Sequence, residues 1–358
     1  MRFALSEDQK LLQASVVKAL ETLSPLERVR RFADQEQVNA PDLWSGLTDL
    51  GLPGLMIDER HGGLGLGMVE AALAAEALGA VVAPAPFLGS AVLAPLALKL
   101  AGAPEQQDKW LPLLAAGKVT AGIAISEAVA GARDDAGVDA RDLKLDGKAL
   151  FAIDARGAGL LIVADRRGRL HLAAGEPAQM PMNSIDVTRR LTEINFRGAL
   201  AAPLASNRTL DRLRDAAWIV LAAETLGAAQ AMLDKAVAYA KERQQFGRAI
   251  GSFQAVKHLC AEMAAELEPA RALVWYAAYA FDQGLDEAPL MAAHAKAHLS
   301  EVGRFVARTS TEVHGGIGMT DLLGLHYWFK RIGQNRQLLG GPERVREIAA
   351  QLQGLSAT

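Results

Sequence analysis

Residues 209–254 read TLDRLRDAAWIVLAAETLGAAQAMLDKAVAYAKERQQFGRAIGSFQ. Small and apolar residues recur here with no proline, and Gly227 is the lone glycine before residue 247, so the pattern predicts one unbroken helix of roughly ten turns. At KERQQFGRAIGSFQ, residues 241–254, the texture changes. A cation, an aromatic ring and an amide (Arg243, Phe246 and Gln254) follow one another around a Phe-Gly turn. Together they imply a site whose remaining parts must lie elsewhere in the chain. The plainer alternative makes Arg243 a solvated helix-end residue and Phe246 a core anchor.

Further helices are expected at roughly 252–283 and 286–310, ahead of a glycine loop at VHGGIGM. Residues 206–358 therefore read as a C-terminal helical bundle. The start of the chain is also helical. Ser6 precedes Glu7, Asp8 and Gln9 and then LLQASVVKAL, a cap followed by apolar residues at helical spacing. LWSGLTDLGL, VEAALAAEALGA and VLAPLALKLAG continue that pattern, giving a helical domain over 1–118. Between the two, over 119–205, TAGIAISEA, LKLDGKALFAID, GLLIVADRRGRLHLAA and SIDVTRRLTEINF are short β-prone runs bounded by Gly, Asp and Arg-Gly turns. The expected fold is mainly α with a central β-domain.

The chain has 358 residues, 51% apolar and 22% charged, enough for a large core and several domains. A net charge of −3 with interleaved signs gives no reason to expect nucleic acid. One cysteine, Cys260, allows no intramolecular disulfide and no Cys-rich metal site, and a reducing cytoplasm is the expected location. His258 and His314 read as packing residues, and no metal-ligand spacing is expected. No apolar run reaches the roughly 18–20 residues that span a bilayer without a break, so FLGSAVLAPLALKLAG, interrupted by Pro95 and Lys99, reads as a core helix.

The order helix, β, helix, with RQQFGRAIGSFQ followed by EVHGGIGMTDLLGLH, resembles the flavin-dependent acyl-CoA dehydrogenase family over nearly the whole chain. GLPGLMIDERHGGLGLG and GAPEQQDKWLPLLAAGKVTAGIAISE are similar to family features too. The resemblance implies an N-terminal helical domain, a middle β-barrel and a C-terminal four-helix bundle. It further implies FAD shared between subunits, with isoalloxazine on the β-domain of one chain and the diphosphate end on the bundle of a neighbour. On that reading Arg243, Phe246, Gln254, Gly315 and Gly316 meet the cofactor, with Glu312 standing where relatives carry an amide. The implied partners are an acyl-CoA substrate, an electron-transferring flavoprotein and further subunits in a homo- or hetero-oligomer.

Other family motifs are altered. The Thr-Glu-Pro-Gly-x-Gly-Ser-Asp run of relatives is ISEAVAGARDDAG here, retaining Ser126 and Glu127. The Trp-x-Thr that faces flavin becomes Phe151 and Ile153. The two positions at which relatives carry the catalytic Glu hold Gly340 and Ala217. Glu224, two helical turns beyond Ala217, is the remaining candidate base, with Asp321 a weaker one. A carboxylate in so apolar a run is expected to have a raised pKa, as a general base requires. Alternatively Glu224 pairs with an arginine and is structural. Three functions fit these residues: an acyl-CoA dehydrogenase forming 2,3-enoyl-CoA, a partner subunit completing the FAD site of another chain, or an oxygen-using flavoprotein of the same fold.

Overall fold

The computed structural model describes residues 4–35, 40–173, 175, 177–205 and 209–355. The expected boundary at 205/206 abuts residues 206–208, which lie outside that set. Helix α1 (Glu7–Leu23) starts as its sequence predicts, with Ser6 Oγ accepting from Gln9 N at 3.2 Å and Gln9 Oε1 accepting from Ser6 N at 2.9 Å. Helices α2 (Leu26–Asp34), α3 (Pro41–Asp49) and α4 (Met68–Ala80) follow. A π-helical turn at Leu88–Leu93 then leads into α5 (Ala94–Ala101), and α6 (Pro104–Ala115) completes the helical part. The π turn places Pro95 in the first turn of α5, where a missing N–H costs nothing.

The β-domain comprises β1 (Ala121–Ala124), the short helix α7 (Ser126–Ala130), β2 (Gly137–Arg141), β3 (Lys144–Ala152), β4 (Leu160–Ala164), β5 (Leu170–Ala173), β6 (Ala178–Pro181) and β7 (Thr192–Pro203). Its strand order is β1-β4-β5-β7-β3-β2, with β6 also on β7 and with β1–β4 as the parallel pair. The long β7 pairs with β3 and β6 along its first part and with β5 at its end, which curls the sheet into a half-barrel. Val138, Leu145, Val163, Ile194 and Phe196 fill the inside of the curl. The other face joins the helical core through Ile123, Leu160 and Ile162. The run SIDVTRRLTEINF is strand only from Thr192; its first half is a loop. Asp186 bends that loop by accepting from Thr188 N at 2.8 Å.

The C-terminal bundle contains α8 (Thr209–Glu242), α9 (Gln254–Gln283), α10 (Ala288–His314), α11 (Leu325–Gln337) and α12 (Pro342–Leu352). Among the described residues α8 is the helix long and apolar enough to cross a membrane, but 89% of its most apolar window is buried inside the fold. It is the axis of the molecule. Helix α4 of the N-terminal part crosses it so closely that a Cβ on Gly227 would stand 1.8 Å from Glu76 O, and one on Gly79 2.1 Å from Glu224 O. Asp282, near the end of α9, adds a second tie by accepting from the free N–H groups of Met68 and Val69 at the start of α4.

Candidate cofactor and substrate site

Helix α8 ends in a two-stranded hairpin, Gln244–Gln245 (β8) against Arg248–Ala249 (β9), with Phe246 and Gly247 at its tip. Both tip residues have positive φ, +53° and +75°, as a tight two-residue hairpin turn requires. An aromatic residue rarely adopts that conformation. Phe246 is 92% exposed, so the core-anchor reading is corrected: its ring meets Phe253 edge to face at 6.0 Å and otherwise faces outward. Arg243 and Gln254 are exposed as well, and the Arg243 guanidinium has no ion-pair partner among the described residues.

The glycine loop lies alongside. The His314 ring stacks on Tyr239 at 4.8 Å and its Nδ1 meets Ser310 O at 2.7 Å, which fixes the end of α10 against the last turns of α8. Gly315 has φ +64°, and a Cβ at Gly315 or Gly316 would meet open space. The Gly315 N–H donates to Glu312 O, so what this edge offers an approaching ligand is unobstructed backbone surface. Glu312 is exposed at the same edge, with no ion-pair partner among the described residues. Asp321 faces His326 across the loop at 3.5 Å. His258 is exposed on α9.

A second feature is a cavity of about 250 Å³ between α7, the end of β3, the 182–191 loop and the end of α11. Ser126 and Phe151 line it, as do Glu127, Met182, Gln334 and Leu339. The Ser126 hydroxyl is turned aside, donating to Phe151 O at 3.2 Å. Glu127 Oε1 accepts from Leu150 N at 2.6 Å, and burial raises the Glu127 pKa. Phe151 has φ +54° and Leu339 +56°, so strained backbone stands on both sides of the cavity. Ile153 is fully buried and bridges to Ile123, leaving no hydroxyl at that position. Gln334 Oε1 is buried with no partner, an acceptor awaiting a donor.

The raised pKa expected for Glu224 requires a correction. Glu224 is buried on α8, and its Oε1 accepts from Arg189 Nη2 at 2.8 Å and Arg331 Nη1 at 2.5 Å while its Oε2 accepts from Asn335 Nδ2 at 2.9 Å. Burial alone would raise its pKa, but the two guanidiniums outweigh that and hold it below the ordinary Glu value. The raised pKa expected of a base is absent. Glu224 is a buried anion paired with two arginines in this structure. Arg331 also binds Asp186 through Nε and donates to Thr188 Oγ1 at 2.6 Å. Asn335 Oδ1 accepts from Arg189 Nη1 at 2.7 Å, and its backbone carbonyl accepts from the buried Lys296. Burial pulls the Lys296 pKa down to about 7. This network clamps α8, α10, α11 and the 182–191 loop together behind the cavity.

Sequence reasoning missed the arginine cage because Arg189 lay in an expected strand and Arg331 far along the chain. It also missed Trp218, fully buried one position from Ala217, whose indole N–H donates to Leu339 O at 2.9 Å. The indole fills the space between α8 and the Leu339-Gly340 turn. Likewise Ala222, Ala223 and Gly227 mark close helix contact and not a roomy pocket.

Comparison with known proteins agrees with this geometry. Residues 6–118 match the acyl-CoA dehydrogenase N-terminal domain and residues 210–352 the acyl-CoA dehydrogenase C-terminal domain. The acyl-CoA dehydrogenase IpdE2 of Mycolicibacterium smegmatis is 32% identical over 97% of this chain and 100% of its own length. The solved ChsE4–ChsE5 complex from Mycobacterium tuberculosis superposes with a TM-score of 0.90 at 26% identity, covering 100% of both chains. The Tcur3481–Tcur3483 steroid ACAD superposes at 0.89 with 27% identity, over 97% of this chain and 98% of that one. The chain belongs to the acyl-CoA dehydrogenase family of oxidoreductases.

Proposed function

We propose that this chain serves the α,β-desaturation of an acyl-CoA to its 2,3-enoyl-CoA as the subunit that completes the FAD site of another chain. The observation that carries this reading is the outward-facing hairpin: Phe246 is 92% exposed on a strained turn, beside an unpaired Arg243 and an open Gly315-Gly316 edge. Those groups suit a cofactor diphosphate and its flat ring system, arriving from outside the chain. Bound FAD supplies acceptance of hydride from the β-carbon. This chain's part is to hold the nucleotide end and exclude water from it.

The same reading explains what the chain lacks. Removing the α-proton needs a carboxylate with a free lone pair. Gly340 has no side chain, Ala217 is fully buried, and both Glu224 oxygens are occupied. On this reading the proton acceptor belongs to the partner subunit. Two of the solved relatives carry paired names, one of them a steroid ACAD, which supports a hetero-oligomer and a bulky acyl group. Electrons would leave to an electron-transferring flavoprotein in the cytoplasm. A second reading, a self-sufficient enzyme with flavin beside Phe151, draws on the cavity and its unpartnered Gln334 Oε1. Anaerobic addition of an acyl-CoA separates the two. Bleaching of flavin absorbance only in the co-expressed complex supports the subunit role; bleaching by the FAD-loaded chain alone supports self-sufficiency.

A further inference from the structure

A second cavity, of about 350 Å³, opens where the α1–α2 turn, the end of α4, α8 and α11 meet. It shares no lining residue with the cavity beside Phe151, and its volume falls within the range of small-ligand pockets. Leu20, Leu26, Val81 and Ala231 supply apolar wall. Two polar groups on the wall lack the partners their chemistry calls for. Ser24 is 2% exposed and its Oγ has no hydrogen-bond partner. Lys235 is half-buried on α8 with its Nζ 4.7 Å from the centre of the Trp328 ring, and among the described residues no carboxylate lies within ion-pair distance of it.

The Trp328 ring is itself fixed, because its Nε1 donates to Ala80 O at 2.8 Å. A cation over an indole is attracted to the ring face but keeps its N–H donors for an oxygen ligand. Burial lowers the Lys235 pKa. Two carboxylates also border the cavity, those of Glu21 and Asp234. Both are exposed, and Asp234 Oδ1 already accepts from Gln230 Nε2 at 2.9 Å. The less exposed polar groups on the wall are the half-buried Lys235 ammonium and the buried Ser24 hydroxyl.

We propose that this cavity binds a medium-chain monocarboxylate, with its oxygens on Lys235 Nζ and Ser24 Oγ and its aliphatic body against Leu20, Leu26 and Val81. Such a ligand satisfies a buried hydroxyl, pairs a desolvated cation and covers apolar wall at once. It would bridge the N-terminal helices and the bundle. The proposal is independent of which chain holds the flavin.

Calorimetric titration of the full chain with sodium decanoate tests it. Saturable binding at one site is expected, weakened at least ten-fold in Lys235→Met, retained in Lys235→Arg, and weakened a few-fold in Ser24→Ala. Decylamine should not compete. Thermal unfolding of each variant shows that it remains folded, and Ser24→Ala carries the test if Lys235→Met does not fold. Absence of saturable decanoate binding, or equal binding by the wild type and the folded variants, would overturn the proposal.

Discussion

Arg331 and Glu224 meet at 2.5 Å in the interior, joining α11 to α8 with both side chains almost wholly out of water. Neither helix contributes a charge that could be removed cheaply, because each desolvated ion relies on the other. Glu224→Gln should therefore destabilise the fold by about 3–5 kcal/mol, leaving two buried arginines short of an anion. Urea unfolding measures it. A variant as stable as the wild type would contradict the clamp.

The same pair sets an acid limit. The folded pKa of Glu224 lies below its unfolded value, so its contribution is present above the unfolded pKa near roughly 4.3 and is lost as pH falls through the folded one. The acid limb of the stability profile should shift when Glu224 is replaced.

Asp154 acts in the opposite sense. Its carboxyl accepts from Gly89 N at 2.9 Å, and burial raises its pKa from 3.8 to about 6. A raised carboxyl pKa contributes stability below the unfolded value that is lost as pH rises through the folded value. Asp154→Asn should therefore gain stability relative to the wild type between pH 4 and pH 7. The gain should reach about 2 kcal/mol at most, given its partial exposure. Chemical denaturation at the two pH values checks the sign; a gain that shrinks as pH rises would refute it.

Gly227→Ala probes the crossing of α4 and α8. The new methyl would meet Glu76 O at 1.8 Å, and backbone cannot yield as a flexible side chain can. A loss of about 3 kcal/mol or more is expected, or failure to fold. Wild-type stability in this variant would mean that the helices are further apart.

Arg243→Ala should do the reverse. An exposed, unpaired arginine contributes within about 0.5 kcal/mol to stability, so the variant should unfold like the wild type. Its effect should appear instead as lower FAD retention in the assembled enzyme, read by flavin content per complex. Unchanged flavin content would remove Arg243 from the site.

Much of this was legible in sequence, for reasons that particular residues make plain. The Ser6 cap, the long α8 and the Phe-Gly punctuation at 246–247 are local signals, and each stands where its pattern placed it. The break expected after His314 is present too, although Gly315–Met319 forms a 3-10 turn where a loop was expected. What could not be read was the pairing of distant charges. Nothing near Glu224 in the chain announces Arg189 or Arg331, so desolvation, the largest single influence on its pKa, was visible while the charges and hydrogen bonds that together outweigh it were hidden. The loop at 184–191 misread as strand for a related reason: Asp186 is held by Arg331 from another domain. Trp218 looked like ordinary helix core, and its closure of the space beside Leu339 depends on a contact across the bundle.

The most direct test of the subunit role is the visible spectrum of the chain expressed alone, with released flavin quantified per polypeptide, beside the same measurement on a complex with a co-expressed acyl-CoA dehydrogenase subunit. The outward-facing Phe246 and Arg243 predict a colourless isolated chain and a yellow complex that loses flavin on Arg243→Ala. A full equivalent of FAD on the chain alone would contradict the account and place a working flavin site beside Phe151.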